Sequence, residues 1–166
     1  MSPGHTQENQ PHDAVRETAP ASDGGAAPRA RPAGPLARVA RRWPTWTALA
    51  LVVATFADGV PPLPLLATLL AVMPLCYIAF GVLRGELARR DTVVLQLLGV
   101  ALFGALALLA LSVDRTAGHY VMAAGWFAHA VWDFAHHRAG RVVPRAWSEW
   151  CCVVDLFGAA AIVLWV

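Results

Sequence analysis

Five stretches of this chain contain no aspartate, glutamate, lysine or arginine, and they constrain its fold more than any other feature. They cover residues 43–57, 59–83, 92–113, 116–132 and 156–166, with lengths of 15, 25, 22, 17 and 11 residues. A helix rises about 1.5 Å per residue, so a hydrocarbon core of roughly 30 Å takes about 20 residues to cross. In a chain that is 57% hydrophobic and 14% charged, this pattern predicts an all-α membrane protein, a bundle of about five transmembrane helices.

The segments between the predicted helices are rich in proline, glycine or arginine. Residues 59–64 contain three prolines and end the first helix, because proline cannot continue one. Residues 1–42 are rich in proline, alanine, glycine, serine and arginine without apolar periodicity, and are predicted to be a disordered cytoplasmic tail. The transmembrane domain is predicted to cover residues 43–166, with helices at 46–60, 65–83, 92–113, 117–137 and 148–166.

The arginines predict the orientation of the bundle. All 13 basic residues of the chain are arginine, and cytoplasmic loops of membrane proteins carry an excess of basic residues. Arg38, Arg41 and Arg42 precede the first helix, so the N-terminus is predicted to be cytoplasmic. Five crossings then put 12 of the 13 arginines on the cytoplasmic side and leave only Arg115 on the other. This distribution is typical of a multi-pass protein of the bacterial plasma (inner) membrane.

The net charge argues against one class of partner. It is only +2, and the basic residues form no concentrated patch, so no nucleic-acid interface is predicted. Membrane lipids are the expected partners, and the sequence leaves open whether the chain forms a homo-oligomer or joins another membrane protein.

The fourth predicted helix carries four polar side chains at helical spacing, which are His129, Asp133, His136 and His137. At about 100° per residue, the last three lie at about 40°, −20° and 80° from His129, so the four share one stripe. An ionised aspartate at the centre of a membrane costs roughly 2.5–3.5 kcal/mol on insertion scales. The stripe is therefore predicted to face the interior of the bundle.

The fifth predicted helix adds a carboxylate at a similar depth. Counted from the cytoplasmic surface, Asp155 is expected about 10 Å deep, between Asp133 at about 6 Å and His129 at about 12 Å. Imidazole and carboxylate groups are ligands of Zn²⁺, Fe²⁺ and Mn²⁺. The sequence thus predicts a divalent transition-metal site, for Zn or Fe, formed by His129, Asp133, His136, His137 and Asp155.

Three functions are compatible with this cluster, and the sequence does not decide whether the protein is an enzyme. A metal-activated water would suit a lipid-modifying enzyme. The same groups would serve a proton-coupled carrier, since histidine titrates near physiological pH. They would also join helices in a structural or partner-binding membrane subunit, as the amide of Gln96 in the third helix is expected to do.

Several of these positions also carry a resemblance. The features concerned are the His129-x3-Asp133-x2-His136-His137 pattern, Pro144, an aromatic-rich helix start, Cys151 or Cys152, and Asp155. With them, the segment 125–164 resembles a family of small bacterial integral membrane proteins of unknown activity, which implies a membrane bundle and no particular reaction.

A second resemblance concerns a shorter motif. Asp133-x2-His136-His137 is similar to the H-x-x-H-H box of membrane fatty-acid desaturases and hydroxylases, with aspartate in place of the first histidine. That resemblance implies iron as the metal. Those di-iron enzymes use several such boxes, whereas only four of the six histidines here lie in the apolar region.

Overall fold

The computed structural model describes residues 39–40 and 42–166. Of the predicted disordered tail, all but residues 39, 40 and 42 lies outside the described residues. The described part is helical and contains no strand, which confirms the prediction of an all-α fold with five helices. The elements are α1 (Trp43–Phe56), α2 (Leu63–Leu83), a short 3-10 helix (Glu86–Ala88), α3 (Arg90–Ser112), α4 (Arg115–Ala139) and α5 (Arg145–Trp165).

Local sequence signals account for where these helices begin and end. A proline stands in the first turn of α1 and of α2, where its missing N–H is not needed. The carboxylate of Asp114 accepts the backbone N–H of Ala117 and caps the start of α4. Gly140 ends α4 with a φ of 65°, a conformation that glycine adopts without steric cost. The first helix ends at Phe56 rather than at residue 60, because the chain already turns at Gly59, whose φ is 109°.

Three helices, α2, α3 and α5, are long and apolar enough to cross a membrane, with 21, 23 and 21 residues. Only 33%, 28% and 33% of their most apolar windows is buried inside the protein, so large apolar side chains such as Leu98 and Leu108 cover the outside. The first helix is apolar but has 14 residues. The 25-residue α4 is less apolar because it carries the polar stripe.

The polar helix α4 lies at the centre of the bundle. It packs against α2, α3 and α5, and α1 packs against α5 from the outside. The contact between α4 and α5 is close: a Cβ added at Gly158 would lie 2.7 Å from the ring of Trp126. Three apolar helices therefore surround α4 and can enclose its polar face.

Contacts between side chains define one end of the bundle. Arg42, just before α1, lies 3.4 Å from Glu149 near the start of α5. The ring of Phe80, near the end of α2, lies 5.0 Å from that of Trp147 on α5. The start of α1, the end of α2 and the start of α5 are therefore together, and the loop from α4 to α5 joins them there.

Candidate metal centre

Three of the five predicted ligands meet at one buried point. His129 and Asp133 come from consecutive turns of α4, and Asp155 comes from α5; all three are 0% exposed. The Nδ1 of His129 lies 2.7 Å from Oδ2 of Asp155 and 3.4 Å from Oδ1 of Asp133. One ring nitrogen of the histidine and one oxygen of each carboxylate lie within 4.8 Å of one another. This group of three residues is called the 129–133–155 cluster below.

A tyrosine that the sequence analysis did not single out completes the cluster. The hydroxyl of Tyr77 on α2 donates to Oδ1 of Asp133 at 2.5 Å, and the ring is 1% exposed. The only sequence signal was a phenol within the charge-free stretch 59–83. Because α2 is apolar on every side, nothing in its pattern indicated that this hydroxyl faces α4.

Each member of the cluster keeps one polar atom without a hydrogen-bond partner among the described residues. These atoms are Nε2 of His129, Oδ2 of Asp133 and Oδ1 of Asp155. A buried polar group left unpaired costs about 1–3 kcal/mol, and more if it is charged. Because one donor atom from each of these residues also lies within 4.8 Å of the others, a bound cation or proton would stabilise the arrangement.

The structure places His136 in a separate pair, one turn further along α4. Its Nδ1 donates to the carbonyl oxygen of Trp132 at 2.9 Å, and its Nε2 then accepts from the amide of Gln96 on α3 at 2.9 Å. Both ring nitrogens are thus in use. The interhelical hydrogen bond expected of Gln96 is confirmed, and its partner is a residue predicted as a metal ligand.

The structure places His137 at the edge of the bundle, away from the cluster. Its Nδ1 lies 3.1 Å from the carbonyl oxygen of Arg145 at the start of α5, and the side chain is partly exposed. This contact joins the end of α4 to the start of α5. Glu149, near the start of α5, accepts from the hydroxyl of Thr45 at 2.6 Å.

Apolar and aromatic groups close the space around the cluster. The ring of Phe103 on α3 lies 4.6 Å from that of His129, edge to face. From the loop between α4 and α5, the buried Val142 and Val143 pack against Tyr77. Val142 has a φ of 66°, a strained conformation for a β-branched residue that such packing must hold in place.

The donor set can hold a divalent cation. When ionised, the two carboxyl groups supply two negative charges, and no arginine pairs with either of them in the part of the chain that the structure describes. Small side-chain rotations would bring donors that are within 4.8 Å of one another to metal–ligand distances of about 2.0–2.2 Å. In comparisons with known proteins, no protein-family model, no curated protein and no solved structure matches the chain.

Proposed function

We propose that this protein is a polytopic protein of the bacterial inner membrane that binds a divalent metal ion in the 129–133–155 cluster. The membrane location is supported by the three long apolar helices and by the large apolar side chains on their outer faces. In water these faces would be costly, whereas in a bilayer they meet hydrocarbon.

The proposed orientation puts the N-terminus and the arginine-rich end in the cytoplasm. The arginines at residues 42, 84, 89, 90, 138, 141 and 145 all belong to that end, and Arg115 belongs to the other. The C-terminus then lies outside. An alkaline phosphatase fused to the C-terminus should be active and a green fluorescent protein fused there should be dark; the reverse result would contradict the orientation.

One observation carries the metal proposal: a ring nitrogen of His129 and one oxygen from each of two fully buried carboxylates lie within 4.8 Å of one another. A divalent cation would neutralise both charges and bind one donor atom of each residue. His129, Asp133 and Asp155 would be the ligands, and Tyr77 would orient Asp133 from behind, as hydrogen-bonded outer groups do in metal sites.

The donor set favours zinc or iron, which bind imidazole together with carboxylate. Three protein ligands leave a coordination position open, as in catalytic rather than structural zinc sites. A metal bound there would supply Lewis acidity and an activated water. The neighbouring residues would exclude bulk water from it, and this setting suits a reaction on a lipid-like substrate.

Elemental analysis of the full-length protein, purified in detergent without chelators, tests the proposal. We expect about one zinc or iron per chain and its loss in His129→Gln, because the variant lacks a ligand. His119→Gln is the matched control on the same helix, since His119 is also buried but its Nδ1 donates to the carbonyl of Arg115. Less than about 0.1 metal per chain in the wild type, before and after incubation with zinc or iron(II), would contradict it.

A proton-coupled carrier is the second candidate, and one feature favours it. Tyr77, Asp133, His129 and Asp155 form a continuous chain of close polar contacts, at 2.5, 3.4 and 2.7 Å, which is the arrangement of a proton relay across the bundle. This function predicts proton flux in proteoliposomes under a pH gradient, abolished by Asp133→Asn. The absence of flux under any gradient would count against it.

A further inference from the structure

An apolar groove leads from the outside of the bundle to the back of the metal centre. It has a volume of about 220 Å³ and lies between α1 and α2, which pack against different neighbours, α1 against α5 and α2 against α3 and α4. Its walls include Leu51 of α1, Leu69, Met73 and Cys76 of α2, and Trp150 and Val154 of α5.

The inner end of the groove is formed by residues of the site. Trp126 and Asp155 both line it, and they are only 3% and 0% exposed. Asp155 is also the residue whose Oδ2 lies 2.7 Å from His129. Anything that fills the groove therefore lies directly against a member of the 129–133–155 cluster.

The other end of the groove has an aromatic character. Trp147 and Trp150 line both the groove and a second cavity of about 370 Å³, which also includes Trp43 and Phe80. Tryptophan rings favour the boundary between lipid headgroups and hydrocarbon. The groove thus runs from the headgroup level, at the arginine-rich end, into the hydrocarbon level.

We infer that this groove is a binding site for a membrane phospholipid, with one acyl chain lying between α1 and α2 against Trp126 and Asp155. The inference rests on the proposed membrane location and names the substrate class of the proposed metal centre. A volume of about 220 Å³ is below the roughly 300–1,000 Å³ of pockets for compact ligands, so it suits a length of single chain. Arg42, next to Trp43, is 70% exposed and lies 3.4 Å from Glu149, so its guanidinium still has free N–H groups that can bind the phosphate.

A phosphatidylethanolamine with a diazirine on one acyl chain tests the inference on the full-length protein in detergent micelles. After irradiation, we expect adducts on α2 and α5 at groove positions such as Met73 and Val154. An excess of ordinary phosphatidylethanolamine should compete with this labelling, because a specific site saturates. The belt of lipid and detergent on exposed positions such as Leu98 should not saturate.

A matched pair of substitutions on α1 locates the site. Leu51 and Val53 are both exposed, at 42% and 70%, but two residues apart they point to opposite sides of the helix. Leu51→Trp should fill the groove and lower the saturable labelling by about tenfold, as the lost burial of two methylene groups implies. Val53→Trp should leave it unchanged. Labelling that does not saturate, or that falls equally in both variants, would overturn the inference.

The metal content of the same samples separates this inference from the proposed function. His129→Gln should lose its metal and keep saturable labelling of the groove, because His129 does not line it. Saturable labelling of a wild type that contains no metal would leave the lipid site standing and end the metal proposal. A wild type that contains metal but shows no saturable labelling would leave the metal proposal standing and overturn the lipid site.

Discussion

Two histidines on the same face of α4, His129 and His136, are buried between helices and differ in what their ring nitrogens contact. His136 has a backbone carbonyl at one nitrogen and the Gln96 amide at the other. His129 shares one nitrogen between two carboxylates and has no partner for the other within the described residues. The same residue type, about two helical turns away, thus stands in a closed pair in one place and in an open cluster in the other.

The difference separates a structural role from a binding role. A histidine whose two ring nitrogens are both hydrogen-bonded has no free nitrogen for a metal, and His136 instead joins α3 to α4, as interhelical polar groups do in membranes. An open cluster of buried carboxylates is costly when empty, and it becomes favourable only when a cation or proton arrives. Burial alone does not distinguish the two histidines, which are 0% and 6% exposed; the unpaired atoms do.

The largest effect should come from removing one carboxylate charge from the open cluster. Asp155→Asn and Asp133→Asn keep the size of the side chain and remove an anionic ligand. Each should weaken zinc binding by at least about 100-fold, since even the loss of an outer hydrogen-bonding group costs about 10–100-fold. Competition with a chelator measures the affinity. His136→Gln is the control and should bind zinc as tightly as the wild type does. If all three variants lost zinc affinity equally, the distinction between His136 and the 129–133–155 cluster would be wrong.

The next effect concerns the contact that holds the two halves of the cluster together. Gly158 lies three residues after Asp155, and a Cβ there would stand 2.7 Å from the Trp126 ring. Gly158→Ala should lower the free energy of unfolding by about 1–3 kcal/mol through overpacking, measured by denaturant titration in detergent.

The control for this prediction is a glycine with open space beside it. A Cβ at Gly104 on α3 would meet nothing within 4 Å, so Gly104→Ala should be neutral or stabilise by up to about 1 kcal/mol. If Gly158→Ala is as well tolerated as Gly104→Ala, α4 and α5 can separate without loss. The position of Asp155 would then not depend on that contact.

The contrast between the two histidines also marks what the sequence could predict. The charge-free stretches predicted five helices, because the length of an apolar segment and the cost of buried charge are local properties. The helical spacing of His129, Asp133 and His136 predicted that they share an inward face, and all three are buried. Spacing along one helix cannot tell which neighbouring helix each side chain meets.

The partners were missed for that reason. Asp133 and His136 lie on adjacent turns, yet one meets Tyr77 of α2 and the other meets Gln96 of α3. The rotation of α2 is not readable from its sequence, since it has no polar stripe to indicate an inner face. The docking of apolar helices depends on shape, as at Gly158 and Trp126, and shape is fixed only when the helices are assembled.

A smaller effect should come from breaking the closed pair. His136→Leu leaves the Gln96 amide without its partner, and interhelical hydrogen bonds in membranes are worth about 0.6 kcal/mol on average, with a maximum of about 1.7. The free energy of unfolding should fall by that amount, while the affinity for zinc stays unchanged. In a double-mutant cycle, Gln96→Leu should add little once His136 is gone. If His136→Leu also lost its metal, His136 would belong to the metal site, and the separation of the closed pair from the open cluster would be wrong.

The smallest effect is expected for a solvent-exposed ion pair. The guanidinium of Arg42 lies 3.4 Å from Glu149, and the Arg42 side chain is 70% exposed. Solvent screens such a pair, so Arg42→Gln should cost about 0.2–1 kcal/mol in unfolding free energy. The hydroxyl of Thr45 still donates to Glu149 at 2.6 Å and keeps that carboxylate in place. The effect should vanish near 1 M salt, where the Debye length falls to about 3 Å. A larger cost that persists in salt would contradict this prediction. It would mean that the ion pair is shielded from solvent because this end of the bundle is buried in the assembled protein.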